Sequence, residues 1–266
     1  MASTFDRNAA SFERHRAMPS EVLEAIRKTV WECTGLKPSA RVLDLGAGSG
    51  RIGRVFVDAN DAYIGIDFSL PMLREFRARN SAACLIQADG GQLPFPDASF
   101  DLVMLMQVLS GTHNWRDLLN ETVRVLAPEG SVVVGHTVTP PTGIDARMKS
   151  QLSLILEEMG VASNLSGKSR EKSLDWLQTA SSKKMQITAA SWTVKRTPRE
   201  FLDRHNSGAR FSKLPTKIQT EALQKLSAWA TRTCGSLDQV FSETHTFELY
   251  IFGIADPLIH RKVKTG

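Results

Sequence analysis

Three aspartates stand at or near the ends of consecutive apolar runs, where they could bind one ligand together. Asp44 precedes the glycine turn 46–50, Asp67 ends the second run, and Asp89 ends the third. Such a carboxylate can accept both hydrogen bonds from a ribose 2′,3′-diol, and an acceptor beside Gly90 can meet the exocyclic amine of adenine. Because this much negative charge would repel a pyrophosphate, the pattern favours a nucleoside ligand without phosphate.

The glycine turn allows the backbone to pass close to a ligand, since glycine has no side chain to collide with it. The turn alone is ambiguous, because Gly48, Gly50 and Gly53 also match the dinucleotide-binding pattern G-x-G-x-x-G. The surrounding acids separate the two interpretations. For Asp44 two roles stay open: it organises the glycine loop or a cationic ligand, or it only forms local hydrogen bonds within the loop.

A sheet whose strands alternate with helices must position these residues. We predict an α/β fold: a Rossmann-like, seven-stranded, mostly parallel sheet with helices on both faces and added lid helices. Phe100–Met106 is apolar enough for the middle of a parallel sheet. The predicted strands are 41–45, 62–67, 84–87, 100–106, 131–136, 185–195 and 245–252.

Amphipathic spacing and capping residues predict the helices. Thr197 and Glu200 resemble a capping box that opens a short helix. We expect 143–160 and 197–234 to form a lid over the substrate edge of the sheet. The division is a helical cap at 1–38, a ligand-binding core at 39–140, and lid helices with the remaining core strands at 141–266, all in one domain. The main predicted helices are 19–34, 51–60, 69–80, 115–126, 143–160, 169–182 and 216–234.

Composition places the chain among ordinary globular proteins. Its 266 residues are 42% hydrophobic and 23% charged, with a net charge of +5. The basic residues are diffuse, so a nucleic acid partner is not favoured. The three cysteines are too few and too far apart for a disulfide framework or a paired zinc site. With no signal-peptide pattern and no apolar run long enough to span a membrane, we expect a cytoplasmic protein.

Five motifs in order resemble those of the class I S-adenosylmethionine-dependent methyltransferases, in particular the ubiquinone/menaquinone-biosynthesis type, also called methyltransferase type 11. The resemblance covers about residues 40–137. The motifs are VLDLGAGSG at 42–50, GID at 65–67, QAD at 87–89, LPFPDASFDLV at 93–103 and RVLAPEG at 124–130.

This resemblance implies that the cofactor is S-adenosylmethionine, with S-adenosylhomocysteine as the product. Gly46, Ala47 and Gly48 would contact its methionine part, Asp67 the ribose, and Asp89 with Gly90 the adenine. The further residues implied near the cofactor are Asp44, Phe68, Met72 on the adenine ring, Gln107 near the transferred methyl, and Arg16, which matches a carboxylate-binding arginine of some relatives or is a surface arginine.

Methyl transfer from a sulfonium is an in-line displacement, so the protein mainly aligns the reactants and excludes water. A general base helps when the nucleophile is a hydroxyl or an activated carbon. His136, at the end of the fifth strand, and His113, after the fourth, are the candidates for that base or are hydrogen-bonded wall residues; His205 is a weaker candidate. Six apolar residues of the helical additions predict a hydrophobic or aromatic small-molecule acceptor, namely Met148, Leu152, Trp176, Phe201, Phe211 and Trp229.

Three other functions stay open at this point. An RNA methyltransferase is suggested by the basic charge, but the fourth strand ends in Met106-Gln107 and not in a sequence that grips a base amine. A nicotinamide-dependent oxidoreductase is disfavoured by the ordered acids. A cofactor-binding pseudoenzyme has no distinguishing signature. The acceptor, the atom methylated and the oligomeric state are open as well.

Overall fold

A seven-stranded sheet organises the chain, as predicted. The computed structural model describes residues 18–112, 114–161, 168–206, 211 and 214–254. The strands lie side by side in the order β3-β2-β1-β4-β5-β7-β6. They are β1 (Val42–Leu45), β2 (Tyr63–Asp67), β3 (Cys84–Gln87), β4 (Phe100–Met106), β5 (Leu126–Val138), β6 (Lys183–Arg196) and β7 (Phe241–Gly253).

The strands that carry the candidate site are parallel. β1 pairs with β2 and β4, β2 with β3, and β4 with β5. β6 runs against β7, because Ser182 N–H donates to the Gly253 carbonyl while Thr188 Oγ1 donates to Glu248. Parallel strands end at one edge of a sheet, so the loops that follow β1, β2, β3 and β4 meet there.

The helices follow the predicted pattern, with most boundaries shifted by a few residues. Gly35 caps the end of the first helix, because its N–H donates to the Trp31 carbonyl. The capping box predicted at Thr197 and Glu200 is confirmed at the start of the seventh helix. Thr197 N–H donates to the Glu200 carboxylate, and Glu200 N–H donates to Thr197 Oγ1. They are α1 (Ser20–Thr34), α2 (Arg54–Asp58), α3 (Leu70–Arg79), α4 (Trp115–Val125), α5 (Ile144–Glu158), α6 (Lys168–Ala180), α7 (Pro198–Asn206) and α8 (Thr216–Cys234).

Two predicted strand starts were wrong. β5 begins at Leu126, which pairs with Phe100 before the chain bulges through the Pro-Glu-Gly turn. β7 begins at Phe241, before the predicted start at 245. The first inward positions of β7 carry the polar residues Glu243 and His245. The buried Glu243 accepts a hydrogen bond from Ile144 N–H and lies 3.3 Å from the His245 ring. A search for apolar alternation therefore misses them.

The chain divides into two compact units. One contains most of the sheet and is built from 18–137, 168–190 and 247–254; its apolar core packs around β1, β4 and β5. The other is mainly helical and is built from the described residues of 138–161 and 191–246, with a core between α5, α7 and α8. No helix in the described part of the chain is long and apolar enough to cross a membrane.

The apolar residues expected to line an acceptor pocket mostly belong to these two cores. Met148 and Phe201, for example, are 0% and 2% exposed. Their helical spacing therefore reflects core packing, and it gives little support for a hydrophobic acceptor. The lid function of these helices stays a prediction. Met148, Leu152, Phe201, Phe211 and Trp229 pack in the core of the helical unit, and Trp176 packs against the core of the sheet unit.

Gly50 is expected to tolerate a side chain far less well than Gly35. Both have positive φ, 78° and 68°, but a Cβ on Gly50 would lie 2.2 Å from the buried Phe76 ring, whereas a Cβ on Gly35 meets nothing within 4 Å. Left-handed backbone costs either alanine roughly 1–2 kcal/mol. Overpacking adds about 1–3 kcal/mol at Gly50 only. Urea unfolding of G50A and G35A measures both, and equal losses would contradict the proposed clash.

Candidate cofactor and active site

The glycine turn is fastened to the end of β2 by one carboxylate. Gly48 N–H donates to Asp67 Oδ2 at 2.9 Å, and Ser69 N–H donates to Oδ1 at 2.8 Å. The half-buried Asp67 therefore shapes the turn and places a carboxylate at the edge of the sheet.

Asp44 lies behind the turn and is fully enclosed. It is 2% exposed, and Tyr63 Oη donates to its Oδ2 at 2.7 Å. Its Oδ1 is buried without a hydrogen bond from any described residue. Burial raises the pKa of the Asp44 carboxyl to about 7, partly offset by the hydrogen bond from Tyr63, and nearby Asp67 raises it further. Near neutral pH this carboxyl is thus divided between its two protonation states.

The loops after β2 and β3 carry the residues predicted to meet an adenine. Asp89 is exposed, and its Oδ1 accepts from Gly91 N–H at 2.9 Å. Met72 is 6% exposed and lies 3.5 Å from where a Cβ on Gly48 would stand. Phe68 is 57% exposed beside Asp67. Ala88 N–H donates to the Asp67 carbonyl at 3.2 Å, which joins the two loops.

Gln107, just past β4, is held in an unfavourable backbone conformation by its neighbours. Its φ is 61°, which costs a residue with a side chain roughly 1 kcal/mol or more. Its N–H donates to the Gly135 carbonyl at 2.7 Å, its Nε2 donates to Thr137 Oγ1 at 2.9 Å, and its Oε1 accepts from Arg51 Nη2 at 2.7 Å. The side chain thus connects the glycine-turn segment to β5.

His136 is buried in β5 and borders a cavity beside Gln107. It is 8% exposed and stacks on Tyr250, with ring centroids 5.6 Å apart. Burial, together with the Arg170 cation, lowers the pKa of the imidazole to about 4, while Glu248 acts in the opposite direction. His136 is therefore neutral near pH 7, and so weak a base removes protons from hydroxyls poorly.

Some predicted site residues lie outside the described residues. Arg16 and His113 are among them, as is the side chain of His205.

The structure also adds residues that sequence reasoning missed. Tyr63 could have been found, because it shares a strand face with Gly65 and Asp67 in the register that pairs β2 with β1. Nothing in the sequence linked Arg51 to Gln107, or Arg170 to His136.

Comparisons with known proteins find methyltransferases. Residues 43–134 match the model of a methyltransferase domain. A demethylmenaquinone methyltransferase of Renibacterium salmoninarum is 35% identical over 117 residues, which are 44% of this chain and 49% of that protein. A malonyl-[acyl-carrier protein] O-methyltransferase of Salmonella typhimurium is 32% identical over 132 residues, 50% and 51% of the two chains.

A solved structure supports the fold over nearly the whole chain. An S-adenosylmethionine-dependent methyltransferase of Thermotoga maritima superposes with a TM-score of 0.52 and 16% identity, covering 94% of this chain and 98% of that one. The glycine turn lies within the segment that matches the methyltransferase-domain model, and the sheet order agrees with a Rossmann-like fold. The chain spans about half the length of the curated relatives it matches.

The residues present fit S-adenosylmethionine as the cofactor. Asp67 places a carboxylate beside the glycine turn, the exposed Phe68 presents apolar surface next to it, and the buried Met72 packs close to Gly48. The buried, unpartnered Oδ1 of Asp44 would be stabilised by a nearby cationic group. This cofactor carries no phosphate, so the acids at the strand ends meet no pyrophosphate charge.

Asp44→Asn is expected to remove a pH-dependent loss of stability. The folded-state pKa of Asp44, about 7, lies above its unfolded value. The protonated carboxyl therefore stabilises the fold fully below the unfolded pKa, and this contribution is lost as the pH rises through about 7. Urea unfolding at several pH values should show the wild type losing free energy of unfolding relative to D44N by up to about 1.4 kcal/mol per pH unit between about pH 4 and about pH 7, with a constant difference at higher pH.

A matched control is Asp58→Asn, since Asp58 is exposed and bonds only Asn80 among the described residues. The difference between D58N and the wild type should stay constant across this pH range. His136, with its lowered pKa, destabilises both proteins equally in acid and so cancels in each comparison. A constant difference for D44N would mean that Asp44 is already ionised in the folded protein.

Proposed function

We propose that this protein transfers a methyl group from S-adenosylmethionine to a small-molecule acceptor by in-line displacement. The observation that carries the proposal is the junction of the glycine turn with Asp67, whose carboxylate bonds Gly48 of the turn and Ser69 after β2 at the edge of the sheet. The family match and the two methyltransferase relatives support it.

The bound cofactor would supply a methyl group on a positively charged sulfur. Gly46, Ala47 and Gly48 would contact its methionine part, with Gln107 beside the methyl. Asp67 would bind the ribose, and Asp89 with Gly90 the adenine amine, with Phe68 and Met72 against the ring. Asp44 would stabilise the glycine turn from the buried side through its hydrogen bond with Tyr63. Arg16 stays a prediction for the cofactor carboxylate.

The acceptor is expected to enter beside His136 and Gln107. A neutral buried imidazole serves best there as a hydrogen-bonding wall, because its low pKa makes it a weak base. His113 stays the alternative candidate for a general base. The two relatives are named for a quinone-related acceptor and for an acyl-carrier-bound acid. A hydrophobic or aromatic acceptor stays a prediction, and its support from the helical residues has weakened.

Calorimetric titration with S-adenosylmethionine and S-adenosylhomocysteine tests the central claim without knowledge of the acceptor. The wild type should bind both at micromolar concentration, about 8 kcal/mol of binding free energy. Asp67→Asn should weaken binding about tenfold to a hundredfold, because it replaces an ionised acceptor by an amide. Asp67→Ala, which also removes the bonds to Gly48 and Ser69, should weaken binding further.

Asp58→Asn is again the matched control, since Asp58 lies at the end of α2, away from the glycine turn, and should leave binding unchanged. Circular dichroism confirms that each variant is folded before titration. Well-folded wild type that binds neither ligand would overturn the proposed function.

A further inference from the structure

A small cavity with polar and apolar walls opens beside the carboxyl ends of β4 and β5. Its volume is about 120 Å³. A cavity of this size has room for a carboxylate and its neighbouring carbons. Gln107, Val108, Ser110, His136 and Arg170 are among its lining residues.

The cavity adjoins the glycine turn through two of its walls. A Cβ on Gly46 would lie 2.7 Å from Val108, so the turn passes directly against that side chain. Gln107 is bonded to Arg51, which follows the turn. A group in this cavity would therefore stand next to the segment that, by the proposed function, holds the methionine part of the cofactor.

Arg170 brings a positive charge to the cavity. Its guanidinium forms no hydrogen bond or ion pair with any residue in the described part of the chain. The nearby anion is Glu248, which accepts a hydrogen bond from Thr188 Oγ1 at 2.7 Å. Arginine presents a planar set of donors that matches a carboxylate, so an anion in the cavity would find a cation prepared for it.

His136 adds an unsatisfied polar atom. Its Nδ1 is buried and has no hydrogen-bond partner among the described residues, and the ring is more than nine-tenths buried. Leaving such an atom without a partner is costly, so a native site that retains one commonly supplies the partner from a ligand or water. Stacking on Tyr250 fixes the plane of the ring.

We propose that this cavity binds a carboxylate of the acceptor between Arg170 and His136, and that a carboxylate oxygen is the atom methylated. This inference rests on the proposed function. One oxygen accepts from Arg170, and the other donates a lone pair to the methyl carbon. The C–S bond breaks with its electron pair left on sulfur, which gives a methyl ester and neutral S-adenosylhomocysteine. No proton is released, so no general base is required.

The test uses acetate and propionate as probes, with acetamide and propionamide as neutral counterparts of the same shape. Binding is followed by the imidazole NMR signals of His136 in ¹⁵N-histidine-labelled protein, assigned with His136→Gln. The proteins are the wild type, Arg170→Gln, Arg170→Lys and Lys172→Gln. Lys172 is the matched control, because it is an exposed cation on the same helix and does not line the cavity. Each titration is run with and without S-adenosylhomocysteine.

The acids should shift the His136 signals and the amides should not. R170Q should weaken acetate binding about tenfold or more, R170K should restore part of it, and K172Q should match the wild type. The carboxylate site would be overturned if the His136 signals did not shift with the acids. It would also be overturned if they shifted equally in R170Q and the wild type, or equally with the amides and the acids. If the protein binds acetate but not S-adenosylhomocysteine, the proposed function is overturned and the anion site is retained. If it binds S-adenosylhomocysteine but not acetate, the anion site is overturned and the proposed function is retained.

Discussion

The hydrogen bonds accepted by Asp67 are the constraint on which the site depends. They join the turn after β1 to the loop after β2, and the backbone bond from Ala88 to Asp67 extends the connection to the loop after β3. Three loops from three strands are thereby fixed relative to one another.

The parallel core was predictable from the sequence because its signals are local. Apolar runs that lead to glycine or aspartate predicted β1 to β3 within a residue or so, and the long apolar run 100–106 predicted β4. Gly35 marked the end of one helix, and the capping box at Thr197 marked the start of another. Prediction failed where burial is polar. Glu243 and His245 occupy inward positions of β7 by satisfying each other and the start of α5, which no hydrophobic pattern records.

The candidate site divides in the same way. Residues at strand ends, such as Asp67 and Gln107, could be found because their position follows from the strand pattern. Partners from distant segments could not, since only the folded chain brings Arg170 of α6 toward His136 of β5. The Met and Phe residues of the helical additions show the converse error, because helical spacing of apolar residues is the same for a core and for a pocket wall.

The chain passes between its two compact units more than once, and this constrains how it can be made. Glu243 holds the first turn of α5 from 99 residues further along, and the core of the sheet unit includes Phe252 and Ile254. Contacts so distant in sequence slow folding. During synthesis on the ribosome, β1 to β5 are therefore complete before β7 has emerged, and part of their apolar surface stays exposed until then. A nascent chain of this kind is a natural client for chaperones that shield exposed sheets.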